Sequence, residues 1–221
     1  MPVDADRYRW FYDHIHSRYY DLLMKWCFLP SGGEARCRAA LIAPVAFAPN
    51  ERILDMCCGT GGATRIISEK AGKGSWIAGM DLSSGQIRVA KRRPELADAQ
   101  FLVGDATRTP FRDRSFDKVF IPHALHEMPR EARLRTLSEA RRILKHGGTL
   151  VVLELDTPPH PLVRLLLGFW ALYWLPFNFE TPTRRDMLKH GLTNEVSESG
   201  FRQITKTSSC HGALQTVQAA K

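Results

Sequence analysis

The sequence predicts an α/β protein in which a mostly parallel sheet carries helices on both faces. Two observations predict it. Short apolar runs alternate with longer amphipathic ones, as in successive βα units, and three consecutive apolar runs end on or just before an aspartate. The strand candidates are Ile53-Leu54 ending in Asp55, Trp76 to Met80 ending in Asp81, Phe101 to Val103 followed by Asp105, Val119 to Ile121, and Leu150 to Leu155. Each is short, continuous and apolar, as a strand covered on both faces must be, and all five are expected to run parallel. Helices are predicted over Gly62 to Lys70, Ser84 to Arg92 and Arg130 to Leu144. Ser83 or Ser84 can cap the second, and Gly147-Gly148 is expected to end the third. In that third helix Leu134, Leu137, Ile143 and Leu144 recur at mostly helical spacing among charges, which suits a helix lying on a sheet.

Past Leu155 the texture changes. Pro158, Pro159 and Pro161 interrupt the chain, a greasy stretch runs from Leu165 to Phe177, and Thr183 to Glu198 reads as polar helix. Two last runs, Gln203 to Ser208 and Ala213 to Gln218, read as a hairpin. At 221 residues and 44% hydrophobic content the chain builds one sizeable core rather than two. A single domain, 1–221, is therefore expected in four parts: an aromatic-rich helical segment at 1–48, the βα core at 49–156, an insertion at 157–199 and a β-hairpin at 200–221.

Composition narrows the classes. Five cysteines, Cys27, Cys37, Cys57, Cys58 and Cys210, are an odd number without the paired two-residue spacing of a zinc site, so no metal is expected and a reduced cytoplasm fits. The first residues carry Asp4, Asp6 and Asp13 among aromatics, not a basic start followed by an apolar run, so no secretory signal is read. The greasy stretch holds Gly168 and Pro176 and falls short of the roughly 20 apolar residues of a spanning helix. Its expected role is to cover a pocket or touch a membrane surface, so peripheral membrane contact stays open, as does the oligomeric state. The formal charge of +8 raises nucleic acid or acidic lipid as partners, but the basic clusters Lys91-Arg92-Arg93, Arg141-Arg142 and Arg184-Arg185 are short and scattered like ordinary solvated faces.

The chemistry gathers at strand ends. Ile53 to Gly62 is a strand running into a glycine-rich turn that opens a helix. Gly59 and Gly61 are where a cofactor can lie against bare backbone, and the amides at the helix start attract a carboxylate. An ordinary βα turn would explain the glycines alone. Asp81, closing the second strand, stands where doubly wound folds hold a ribose by its hydroxyls. After the third, Gly104-Asp105-Ala106 offers a carboxylate to an adenine amino group and backbone to the ring edge. Singly each acid is commonly a cap or a solvated residue; as an ordered set they converge on the crevice where open α/β sheets bind ligands.

Through Leu54-Asp55-Met56-Cys57-Cys58-Gly59-Thr60-Gly61, with Asp81 and Asp105 behind it, the sequence resembles the class I S-adenosylmethionine methyltransferases over nearly its whole length. More narrowly it resembles the ubiquinone/menaquinone biosynthesis group, through Arg18 to Met24, Pro110 to Asp117, Ile143 to Gly148 and Leu153-Glu154. The resemblance implies a doubly wound, Rossmann-like, seven-stranded sheet, mostly parallel with an antiparallel C-terminal strand. It implies S-adenosyl-L-methionine as cofactor and S-adenosyl-L-homocysteine as product. Asp55, Cys57, Gly59 and Gly61 would surround the methionine part, Asp81 and Leu82 the ribose, and Asp105-Ala106 the adenine, with Pro122 and Tyr20 as further contacts. Cys57 replaces the usual glycine or alanine, and His146 stands where proline often precedes the glycines. The segment Ile121 to Glu127 departs from the quinone enzymes, so the quinone is not singled out; the apolar Leu162 to Phe179 segment reads as fitting a small lipophilic acceptor, whether a quinone precursor, a phenol or a lipid-like molecule.

Methyl transfer is an in-line displacement, so the protein must chiefly align the reactants and exclude water. His123, His126 and Glu127 follow the fourth strand and are the candidates for a base; each histidine could equally serve as a structural hydrogen-bonding residue. Segment 1–48, with Tyr8, Trp10, Phe11, Tyr12, Tyr19, Tyr20 and Trp26, would be a lid, and Leu162 to Phe179 the acceptor wall. Three other readings stand beside this one. A dinucleotide oxidoreductase would need a third fingerprint glycine where Thr64 stands, and a Tyr-x-x-x-Lys pair is missing. A nucleic-acid methyltransferase would carry Asn- or Asp-Pro-Pro-aromatic or Pro-Cys segments, and neither is found. A cofactor-binding protein without catalysis would keep the same turn.

Overall fold

In the computed structural model, residues 13, 25, 33–162, 164, 165 and 181–221 are described. Seven strands, β1 (Arg52–Met56), β2 (Trp76–Asp81), β3 (Gln100–Val103), β4 (Phe116–Pro122), β5 (Leu144–Leu155), β6 (Arg202–Ser209) and β7 (Leu214–Ala220), form one sheet in the order β3-β2-β1-β4-β5-β7-β6. The first five are parallel, β7 runs antiparallel to β5, and β6 pairs antiparallel with β7. The order reverses between β1 and β4, and ligand crevices of open α/β sheets lie at such a point.

Alternation along the strands divides the core. Leu54, Val119 and Val152 face one side with Leu137, Ala140 and Ile143 of α4 (Arg130–Ile143), Met187 of α5 (Thr181–His190) and Val196 of α6 (Leu192–Glu198). Their neighbours Ile53, Phe120 and Val151 face the other, against Leu41 and Ile42 of α1 (Glu34–Ile42) and Ile66 and Ile67 of α2 (Gly62–Lys70). A third group joins Ile87 and Ala90 of α3 (Ser84–Ala90) to Leu96, Phe101 and Cys58. Ser83 is the cap of α3, its hydroxyl accepting from the Gln86 amide.

Three details differ from the sequence expectations. The glycine pair does not end α4. The helix stops at Ile143, and the pair lies inside β5 in an irregularity where Phe116 partners Leu144 but Lys118 already partners Thr149. Glycine is required there because a Cβ on Gly148 would stand 3.1 Å from the Asp117 carbonyl oxygen and Gly147 has φ +73°. Residues 183–198 are two helices, broken at Gly191 with φ +81°. α3 ends at Ala90, short of Arg92.

The α4, α5 and α6 helices are tied by one buried cation. The Arg133 side chain is fully buried and donates to both Glu195 oxygens at 2.6 and 2.8 Å, to Asp186 Oδ2 at 2.7 Å and to the Met128 carbonyl at 2.9 Å. Met128 follows the 3-10 turn Leu125–Glu127, so this ion cluster also fixes the segment leaving β4. No helix among the described residues is long and apolar enough to cross a membrane.

Candidate active site

The turn after β1 is built on alternating left-handed residues, Cys57 (φ +64°), Gly59 (φ +56°) and Gly61 (φ +83°). It is held down on the end of β2: the Cys58 amide donates to the Met80 carbonyl at 3.0 Å and the Gly59 amide to Asp81 Oδ2 at 2.8 Å. Asp81 uses its other oxygen too, accepting from the Ser83 amide at 2.9 Å. Burial pushes the Asp81 carboxyl above its ordinary range, against the pull of the Ser83 and Gly59 amides. One carboxylate thus locks the turn, the end of β2 and the start of α3 together.

The two glycines have different jobs. A Cβ on Gly59 would meet nothing nearer than Gln86 Oε1 at 4.0 Å, so its face is open. A Cβ on Gly61 would stand 2.6 Å from Leu96 Cδ1 and 3.8 Å from Phe101, so Gly61 is bare to let the turn pack against those residues. Open space therefore lies beside Gly59, whereas at Gly61 Leu96 fills it.

A cleft opens over this turn. Cys57, Cys58 and Gly59 of the turn line it, with Asp81 and Gln86 from β2 and α3, Pro122, His123 and Glu127 from β4 and the segment after it, and Arg38 from α1. Asp55 lies fully buried at the end of β1, accepting from Thr64 Oγ1 at 2.5 Å, while its Oδ1 is buried without a hydrogen-bond partner among the described residues. Burial pushes its pKa up to about 7, against the Thr64 hydroxyl and the Arg38 charge. Gln86 Oε1 is likewise buried without such a partner.

At the end of β4, His123 takes a left-handed backbone (φ +50°), and its amide continues the ladder to the Leu153 carbonyl at 2.7 Å. Burial, with the Arg38 charge adding, lowers its pKa to about 3, so the imidazole is neutral at ordinary pH. His126 points elsewhere. Its Nδ1 lies 2.7 Å from Glu154 Oε1 and its amide donates to Glu154 Oε2 at 3.2 Å, and it does not line the cleft. Asp105 sits exposed at the end of β3, its Oδ1 accepting from the Thr107 amide and hydroxyl at 2.8 Å each. Ala106 is buried and Leu82 half-buried, both outside the cleft lining. Tyr20 and most of Leu162 to Phe179 lie outside the described residues.

Sequence reasoning missed Arg38, Gln86 and Asp13. Arg38 is anchored by Glu34 Oε1 at 2.8 Å, one helical turn earlier, and its guanidinium lies beside the start of α2, where a Cβ on Gly62 would approach it to 3.4 Å. The helix before β1 also carries Arg36, so no local signal separates Arg38 from an ordinary solvated arginine. Asp13 accepts from Ser83 Oγ at 2.6 Å and the Gly85 amide at 2.9 Å. Burial opposes its charge, yet the Gly85 amide and the serine hydroxyls hold its carboxyl below the usual range. Asp13 thereby touches the start of α3, next to Asp81.

A methyltransferase domain family matches residues 53–148, from β1 to the glycine pair. A demethylmenaquinone methyltransferase of Thermotoga maritima is 35% identical over 168 residues, covering 75% of this chain and 69% of that protein. An uncharacterized methyltransferase of Synechocystis sp. is 30% identical over 205 residues, covering 90% of each chain. The chain belongs to the class I S-adenosylmethionine-dependent methyltransferases. Phosphoethanolamine N-methyltransferase 2 of Haemonchus contortus, solved with S-adenosyl-L-methionine, shares the fold with a TM-score of 0.66 at 17% identity, covering 97% of this chain and 60% of that one. The dinucleotide oxidoreductase reading ends here. The methyltransferase cleft fits its cofactor: Gly59 leaves a cradle that a side chain would fill, Gln86 Oε1 lacks a partner among the described residues, and Arg38 and Asp81 bring opposite charges to one space, while Asp55 lies buried behind the lining.

Proposed function

We propose that this methyltransferase acts on a small lipophilic ring of the quinol class, and that its cofactor lies along the cleft from Arg38 to Asp81. The observation that supports the reading is the make-up of the cleft, with the β1 turn and Asp81 on the β2 side of β1 and His123 and Glu127 after β4 on its other side. The name of the Thermotoga maritima relative supports the choice of ring. So do Leu162 and Leu165, 56% and 55% exposed at the start of the apolar insertion.

Bound S-adenosylmethionine supplies a methyl carbon on a positively charged sulfur. The chain's residues do the rest. Arg38 faces the cofactor's carboxylate, Asp55 its amino group, and Cys57 and Gly59 the chain between them; Gly61 shapes the turn from behind. Asp81 and Leu82 receive the ribose, Asp105 and Ala106 the adenine, and Pro122 and Tyr20 close over it. Segment 1–48 acts as the lid, latched by Asp13 at Ser83, and 157–199 as the acceptor wall. Glu127 takes the hydroxyl proton of the quinol, which raises the electron density of the ring carbon to be methylated. His123, uncharged, directs the acceptor oxygen through a hydrogen bond. His126, held by Glu154, positions the turn that carries Glu127.

Labelled cofactor turned over against demethylated quinols, aminophospholipid head groups and simple phenols tests this. Methylation confined to the quinols is expected. Failure of every acceptor despite saturable cofactor binding would favour a non-catalytic binding protein, and steeply salt-dependent RNA or DNA binding would favour a nucleic-acid substrate.

A further inference from the structure

The sulfurs of Cys37 and Cys210 lie 2.9 Å apart across 173 positions of chain. Cys37 is buried in α1, one residue before the cleft-lining Arg38, and Cys210 is half-buried in the 3-10 turn Cys210–Gly212 between β6 and β7. Their separation exceeds the ~2.05 Å of a sulfur–sulfur bond by under about 1 Å. The contact is the first of a row. The Leu41 carbonyl accepts from Thr216 Oγ1 at 2.6 Å, and the Pro44 carbonyl from Gln218 Nε2 at 3.2 Å. Cys37, Leu41 and Pro44 recur at helical spacing, so one face of α1 and its end is fixed to the hairpin at successive points. On the far side the hairpin turn is wedged in place, since a Cβ on Gly212 would stand 2.5 Å from Pro159 Cδ. Both thiols are thus held in register by contacts that do not depend on them.

We propose that Cys37 and Cys210 are a reversible disulfide site that fastens the Arg38-bearing helix to the C-terminal hairpin. The exchange balances with a small-molecule disulfide such as glutathione disulfide. The two protein thiols lose two electrons and two protons and form one S–S bond, while the small disulfide is reduced to two thiols. Burial and the neighbouring sulfur push the Cys210 thiol up to about 12, so exchange is slow and its equilibrium, rather than its rate, is the quantity to read. Cys57 and Cys58 compete poorly, because burial and the charges of Asp55 and Asp81 hold their thiols well above the ordinary range.

The test equilibrates the full chain in glutathione buffers from reducing to oxidising, followed by alkylation, peptide mapping and thermal melting. The expected result is a peptide linked through Cys37 and Cys210, reversed by dithiothreitol, with a melting temperature higher by roughly 5–10 °C in the oxidised form. Cys210→Ser and Cys37→Ser should each remove both the link and the rise. Full alkylation of both cysteines across the redox range would overturn the proposal, as would links to Cys27, Cys57 or Cys58, or a Cys37–Cys210 link without the rise. None of these readouts depends on the acceptor, so they stand apart from the test of the proposed reaction.

Discussion

The two ends of the cleft are made differently. At the β1–β2 end the working surface is backbone, shaped by left-handed residues and locked by both oxygens of Asp81. At the β4–β5 end it is side chains, and what each does depends on a partner brought from elsewhere. His123 and His126 are three residues apart and chemically identical. One lines the cleft, and the other is turned to Glu154 from the neighbouring strand. A surface built from backbone follows from local sequence, whereas one built from side chains follows from tertiary pairing.

The difference can be broken most forcefully at the side-chain end. If Glu127 is the base of the proposed reaction, Glu127→Gln should lower kcat by roughly 10²–10⁴-fold while cofactor affinity measured by calorimetry stays unchanged. Removing the support beneath that end should act on stability instead. Arg133→Ala leaves the buried Glu195 with only the more distant Arg130 at 3.8 Å among the described residues, so denaturant unfolding should show a loss toward the lower end of about 3–5 kcal/mol. At the backbone end, Asp81→Asn keeps the size but replaces one acceptor of the Gly59 and Ser83 amides with a donor. Cofactor binding should fall by about tenfold or more, consistent with about 1.5–3 kcal/mol for a hydrogen bond to a charged group, with melting affected less.

Per pH unit the smallest effect lies in pH dependence, where the two ends have opposite signs. His123 is neutral in the folded protein down to about pH 3, while the unfolded chain binds a proton below about 6.5. Its contribution is therefore lost as pH falls below 6.5. Asp55 keeps its proton in the fold up to about 7 but ionises near 3.8 when unfolded, so its contribution is lost as pH rises between those values. His123→Asn should flatten the acid limb of stability against pH, and Asp55→Asn the rising-pH loss, each by up to about 1.4 kcal/mol per pH unit.

The same contrast governs what could be read in advance. The five parallel strands, the closing hairpin, the capping Ser83 and the acid at the end of β2 were legible, because buried strands, caps and glycine turns obey local rules, whereas the antiparallel last strand followed only from the family resemblance. Gly147-Gly148 misled because a glycine pair ends a helix or bends a strand with the same two residues, and only the packing against Asp117 decides between them. Arg38 and Gln86 were invisible for a related reason. Nothing local marks a basic residue of a pre-sheet helix, or a glutamine of α3, as facing a cleft formed by strands far away in sequence.

The central claim is that the open face of the β1 turn is where the cofactor rests. Calorimetric titration of S-adenosylhomocysteine into the native protein, Gly59→Val and Gly61→Ala tests it most directly. The account predicts saturable binding to the native protein and its loss in a folded Gly59→Val, whose side chain fills the cradle. Gly61→Ala should show lowered melting while still binding, because its Cβ meets Leu96 rather than the cleft. Undiminished binding by Gly59→Val would contradict it.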